Sequence, residues 1–246
     1  MGVYQTKAIV LRTRNLGEAD RVLVLLSEDY GKIEAVVKGA RRQHSRFIGA
    51  TLPFNYLHVM LFTGRSLDQL SQADLLHPFA ILREDLVKMA YASFWVDLLD
   101  GFIPEKEGAG DICRFLLAAF LTLELSTRPE VLNLAFQARL LNYLGYQPEL
   151  GRCLHCGATS ADDFFSPESG GVICRTCAPQ FNNLIGISRE EVALLGQLAI
   201  IDIRQLDRLS LTNRNRLTLQ KIFRAFVAYR LDRPLKSQLF LDKILE

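Results

Sequence analysis

The chain has 246 residues, of which 49% are hydrophobic, 9% aromatic and 23% charged, enough apolar material for one large core or two to three small domains and too much for a disordered or collagenous chain. Five cysteines, four of them in two tight pairs, exclude a disulfide-dense secreted scaffold. The formal net charge of +2 is unevenly divided: ten Lys/Arg face seven Asp/Glu in residues 1–80, six face ten in 81–150, two face three in 151–187 and eleven face seven in 188–246, so a polyanion is expected at the two ends of the chain.

The first eighty residues read as strands. Tyr4 to Thr13, Asp20 to Ser27, Lys32 to Lys38, Leu52 to Phe62 and Leu67 to Leu75 are short runs rich in Val, Ile, Leu, Tyr and Phe, separated by Asn15-Leu16-Gly17, Glu28-Asp29-Tyr30-Gly31 and Thr63-Gly64-Arg65-Ser66. Five such strands with one longer basic connection after the third suit a small closed barrel of the OB type; a five-stranded sandwich or an SH3-like barrel would give the same string. The longest uncharged stretch, Phe47 to Gly64, is interrupted by Pro53, Asn55 and His58, so no membrane span is expected. Met1 to Leu11 lacks the basic and apolar regions of a signal peptide, and the chain is expected to stay in the cytoplasm.

From Pro78 the period becomes helical. Leu82, Leu86, Met89, Val96 and Leu99 mark one helix, and Asp111 to Leu125 a second. Pro129 is placed to open a third that ends at Gly145. Ser188-Arg189-Glu190-Glu191 matches a capping box and starts a helix to about Ala199, and Asn213 to Tyr229 and Lys236 to Leu245 supply two more. The expected class is α+β: an N-terminal five-stranded OB-fold barrel over 1–79, and a helical domain over 80–149 and 183–246 with a four-cysteine zinc module at 150–182 inserted into it.

That module carries the strongest motif. Cys153-Leu154-His155-Cys156 and Cys174-Arg175-Thr176-Cys177 are two C-x2-C pairs separated by seventeen residues. Each pair presents two thiolates from a tight turn, and two such turns complete a tetrahedral set that zinc prefers, with an iron–sulfur site as the alternative. Phe164-Phe165, Ser166 to Gly171 and Val172-Ile173 look like a hairpin carrying the second pair. Four thiolates close the shell, so the ion is expected to be structural, one per chain. His155 is expected to face solvent, and Cys113 to be a small buried hydrophobe.

Residues 32–46 hold five Lys/Arg against one Glu. A strand ending at Lys38, followed by a Gly-containing loop with Arg41, Arg42 and Arg46, could line a phosphodiester track; a solvated loop reads equally well from charge alone. A second basic set, Arg204, Arg208, Arg214, Arg216, Lys221, Arg224, Arg230 and Arg233, alternates with Asp202, Asp207 and Asp232 and reads rather as a solvated helical face. No P-loop, G-x-G-x-x-G, G-x-S-x-G, H-x-E or H-E-x-x-H sequence occurs, and no catalytic residue is expected.

Ala8-Ile9-Val10-Leu11, Gly17-Glu18-Ala19-Asp20, Lys38-Gly39-Ala40-Arg41-Arg42, Tyr91-Ala92-Ser93 with Leu98-Leu99-Asp100, and Leu144-Gly145-Tyr146-Gln147-Pro148-Glu149-Leu150 running into the first cysteine pair occur in an order and spacing that resembles the RecO family over essentially the whole chain. The resemblance implies an OB domain, a helical domain and a zinc-binding insertion with ligands Cys153, Cys156, Cys174 and Cys177. It implies a DNA-repair recombination mediator of the RecF pathway, cytoplasmic and nucleoid-associated, that binds single- and double-stranded DNA and anneals complementary strands. The implied partners are RecR, the C-terminal tail of single-stranded-DNA-binding protein and, indirectly, RecF and RecA, which is helped onto coated strands. The family's basic loop falls on Lys38, Arg41 and Arg42. The competing reading is a zinc-dependent nuclease or deaminase.

Overall fold

The structure is a computed structural model that describes residues 2–104, 110–159, 162–231 and 234–245. Five strands, β1 (Val3–Leu16), β2 (Asp20–Ser27), β3 (Gly31–Val37), β4 (Tyr56–Phe62) and β5 (Asp68–His77), form a closed barrel in the order β1-β2-β3-β5-β4. β1 pairs with both β2 and β4, and a short parallel contact between β3 and β5 completes the wall, which is the OB-fold topology. Alternation fills the interior with one face of each strand. Ala8, Val10, Leu23, Leu25, Ile33, Leu57, Val59 and Leu61 make up the barrel core, each large side chain contributing about 1.5–3 kcal/mol by leaving water.

Several expected boundaries move: β1 runs on through Asn15 to Leu16 and β5 to His77, and two larger changes have clear causes. β4 starts at Tyr56 rather than Leu52, because Pro53 offers no amide, Phe54 takes a left-handed φ of 74°, and the Asn55 side chain donates to the carbonyls of Gly49 (2.8 Å) and Ala50 (3.3 Å). The preceding connection, 38–55, is built of turns and drives Ala40, Phe47 and Ala50 into the barrel core as a plug. The helical run from Leu82 to Leu99 is two helices, α1 (Ala80–Glu84) and α2 (Leu86–Phe102). The extended Asp85 between them accepts from the amides of Val87 and Lys88 at 2.9 and 3.0 Å, which caps α2 and breaks the run.

Ala8–Leu11 of β1 and Val22–Ser27 of β2 are buried on both faces because α2 and α3 (Gly110–Leu125) pack on the outside of β1 and α3 on that of β2: Ile9, Leu11 and Leu26 are buried without belonging to the barrel interior. Trp95 stacks on Phe120 at 6.3 Å within this layer. The last helix, α7 (Lys236–Leu245), joins the same unit. Asp97 of α2 accepts from Ser237 Oγ at 2.6 Å and pairs with Arg12 of β1, so one buried carboxylate ties the C-terminal helix to the barrel.

The chain divides into two compact units, Met1–Leu125 with Ser237–Glu246, and Ser126–Lys236. The second holds α4 (Pro129–Tyr143), a three-stranded sheet of β6 (Asp162–Ser166), β7 (Gly171–Cys174) and β8 (Ile185–Ser188) in the order β7-β6-β8, α5 (Arg189–Ile200) and α6 (Asn213–Leu231). Gly145, at φ 74°, follows α4 in a Schellman closure, with the Tyr146 amide bonded to the Leu141 carbonyl at 2.8 Å. Ser188 and Glu191 make both bonds of the capping box. Strand β8 and the 3₁₀ turns at Ala178–Gln180 and Ile203–Arg208 are additions to the elements that periodicity predicts.

Candidate metal centre and nucleic-acid interface

Two turns build the metal centre. In the first, the Gly157 amide donates to the Cys153 carbonyl at 2.9 Å and Gly157 adopts φ 74°, a conformation that a side chain would strain. In the second, the Cys177 amide donates to the Cys174 carbonyl at 3.0 Å at the end of β7. A crossing holds the turns together: Leu154 and Val172 donate to Val172 and Glu149 carbonyls, both at 3.0 Å, and a Cβ on Gly171 would stand 2.4 Å from the Glu149 oxygen.

All four sulfurs, of Cys153, Cys156, Cys174 and Cys177, lie within 4.8 Å of one another, and Cys156 Sγ is 3.7 Å from Cys174 Sγ. A disulfide needs about 2.05 Å, whereas a tetrahedral ion with metal–sulfur bonds of about 2.3 Å sets its sulfurs about 3.8 Å apart. The set thus fits one ion. Burial raises the Cys153 thiol, but backbone hydrogen bonds at Cys174, Cys156 and His155 outweigh it and hold the group down at about 6; burial and hydrogen bonds with the other three sulfurs push Cys177 up to about 12. Four adjacent thiols ionise together only when a cation takes up the charge. Cys156 is exposed and the other three are buried against Ile173, Phe181 and Leu184. His155 is exposed, edge-on to Phe181 at 5.7 Å, and is not part of the sulfur set.

The basic connection emerges from β3. The Asp20 carboxylate accepts from the Gly39 amide at 2.7 Å while Gly39 takes φ 66°, which fixes the turn carrying Lys38, Arg41 and Arg42 beside the β1–β2 turn. Sequence reasoning missed Asp20. All four expected DNA-binding residues, Lys38, Arg41, Arg42 and Arg46, are at least partly exposed on this connection. Arg41 donates to the Gly17 carbonyl at 2.9 Å, and Arg46 to the Ser71 carbonyl of β5 at 2.7 Å while lying 4.8 Å over the Phe47 ring. The loop is therefore anchored at two places by carbonyls, and among the described residues none of the four cations meets a carboxylate. Three barrel cations differ, Arg12 pairing with Asp97 and Asp100, Arg14 with Glu34 and Lys32 with Asp100, whereas Arg21 donates to the Thr51 hydroxyl at 2.9 Å.

In the second basic set, Arg204 pairs with Asp202 at 2.7 Å, and its side-chain and backbone hydrogen bonds hold that carboxyl down at about 2. Arg216 donates to Gln220, and Arg230 lies 4.7 Å over Phe226. Asp232 and Arg233 lie outside the described residues, as do the side chains of Asp207 and Arg208. No helix among the described residues is long and apolar enough to cross a membrane.

The family model for the recombination protein O N terminal matches residues 1–79, and that for the C terminal matches 83–239. Among similar proteins named DNA repair protein RecO, that of Symbiobacterium thermophilum is 36% identical over 99% of this chain and 98% of its own. Those of Pelotomaculum thermopropionicum and Desulforamulus reducens are 36% and 33% identical over 99% of this chain and 95% and 96% of theirs. An OB-type barrel, helices and a four-cysteine cluster in this order, matched over nearly every residue, place the chain in the recombination protein O (RecO) family.

Proposed function

We propose that the chain acts in DNA repair, as the names of its relatives state of those proteins, by binding single- and double-stranded DNA and annealing complementary strands. The observation that carries this reading is the set of four exposed cations at Lys38, Arg41, Arg42 and Arg46, of which Arg41 and Arg46 are anchored by carbonyls and none meets a carboxylate among the described residues, so their charge is not neutralised. A guanidinium has five N–H donors, and one bond to a carbonyl leaves the rest for phosphate oxygens. Cations that neutralise phosphates on two strands lower the repulsion between them and let bases pair, with no bond made or broken by the protein. The same reading takes RecR and the tail of single-stranded-DNA-binding protein as partners, with loading of RecA as the outcome.

The ion proposed for Cys153, Cys156, Cys174 and Cys177 is a single structural zinc, which would clamp the two turns. Four thiolates leave no open position for water, which argues against the nuclease or deaminase alternative. Incubation with labelled DNA, scored for cleaved or deaminated product, separates the two readings.

The decisive experiment is a salt titration of single-stranded DNA binding with wild type and the Arg41→Ala/Arg42→Ala double variant. Removing each cation that neutralises a phosphate should flatten the slope of log K against log salt by about 0.7, for every sequence alike, and annealing should slow with it. An unchanged slope removes this loop from the interface.

A further inference from the structure

The barrel closes between β3 and β5 through two residue pairs only. β2 covers one edge of β3 along its whole length, from Arg21↔Val37 to Ser27↔Gly31, but β5 meets the other edge only at Ala35↔Asp68 and Val36↔Gln69. Over Gly31–Glu34 that second edge has no strand beside it. A cleft of about 510 Å³ lies there instead, between Lys32–Glu34 on one side and the start of β1 and the β4–β5 turn on the other. Alternate main-chain groups of a strand point to either side, so the Lys32–Glu34 part of β3 that lines the cleft, buried at Lys32 and Ile33, has main-chain donors and acceptors on that side with no strand partner among the described residues.

The cleft's chemistry is acidic and aromatic. Tyr4 and Tyr30 pack at 4.5 Å, and Tyr30 is 45% exposed at the rim. Asp29, Glu34 and Asp68 line the walls. Asp29 accepts from Thr6, Glu34 pairs with Arg14 through one oxygen, and Asp68 accepts from Tyr4 on one oxygen and from the Gly64 amide on the other (2.9 Å); a carboxylate has about four acceptor sites, so each keeps lone pairs for a further donor. The one cation in the lining, Lys32, is already held by Asp100 at 3.3 Å. A phosphodiester would meet repulsion here, whereas an ammonium or guanidinium finds carboxylates and a ring face together.

We propose that this cleft receives an extended, positively charged peptide segment of a partner protein, added as a strand along Gly31–Glu34, with a lysine or arginine side chain against Tyr30 and among Asp29, Glu34 and Asp68. Main-chain bonds supply affinity and the acidic pocket selects the side chain, as in other strand-addition complexes. The site uses residues separate from Lys38, Arg41, Arg42 and Arg46, so it adds a protein-binding surface to the nucleic-acid surface proposed above.

The test uses the full chain and a fluorescein-labelled, end-capped hexapeptide of alternating arginine and valine. Controls are a glutamate-for-arginine peptide and one N-methylated at alternate residues. Saturable binding of the arginine peptide in the micromolar to millimolar range is expected. Both control peptides, and the Tyr30→Ala and Glu34→Gln variants, should weaken it about tenfold or more, equivalent to about 1.4 kcal/mol. Amide resonances of residues 31–34 should shift on titration, while binding of single-stranded DNA by the two variants stays at the wild-type level. The proposal is overturned by the absence of saturable binding, by equal affinity for the N-methylated peptide, or by variants that bind the arginine peptide as wild type does.

Discussion

Cys113 shows how one residue's surroundings decide its chemistry. Its thiol is buried in α3 and donates to the Leu26 carbonyl at 3.2 Å. Burial, then the nearby Glu28 charge, pushes it from the ordinary 9.0 to about 12. A thiol that ionises more readily in the unfolded chain contributes stability that is whole below about 9 and is lost as the pH rises toward 12. Cys113→Ala should therefore cost stability at pH 7 and cost less at pH 10, read as the difference in urea midpoints between variant and wild type; a penalty that grows with pH would contradict the assignment. The neutral, buried sulfur should also resist thiol reagents in the native state.

At the scale of elements, the four-cysteine site depends on a glycine outside the sulfur set. Gly171→Ala would press a methyl group on the Glu149 carbonyl at 2.4 Å and the Leu154 side chain at 2.8 Å, and backbone cannot swing aside as a side chain can. The expected cost is about 1–3 kcal/mol with weaker metal retention. Gly186→Ala in β8, where a Cβ meets nothing within 4 Å, serves as the comparison and should be near neutral. Thermal melts and metal release to a chromogenic chelator check both. Much of this architecture is legible in the chain because period and caps are local signals. The barrel strands declare themselves as short runs of Val, Ile, Leu, Tyr and Phe between turn residues, Ser188 and Glu191 by the capping box, and the four cysteines by spacing. β8 is not legible: Ile185–Ser188 is four residues whose formation depends on pairing with β6, about twenty residues away. The Gly171–Glu149 crossing is hidden for the same reason. In the basic loop the charges can be read directly, but not their direction, since Arg41 and Arg46 are anchored by Gly17 and Ser71, 24 and 25 residues distant.

At the scale of the molecule, the barrel unit owns a core of its own, while the sulfur cluster belongs to Ser126–Lys236. If the four cysteines hold the ion proposed for them, chelation should then raise amide exchange in β6, β7 and the two cysteine turns and leave β1 to β5 unchanged, a contrast that hydrogen-exchange mass spectrometry resolves. Loosening spread evenly over both units would show that the ion braces more than its own module. Finally, the clasp between Asp97 and Ser237 spans 140 positions of sequence. A ribosome adding about 5–20 residues each second needs on the order of ten seconds to travel that far. For that interval the nascent barrel waits with one acidic group half-matched and the berth of its final helix vacant. A chain truncated ahead of Ser237 would keep that berth open for good, and Asp97 would be left with Arg12 alone.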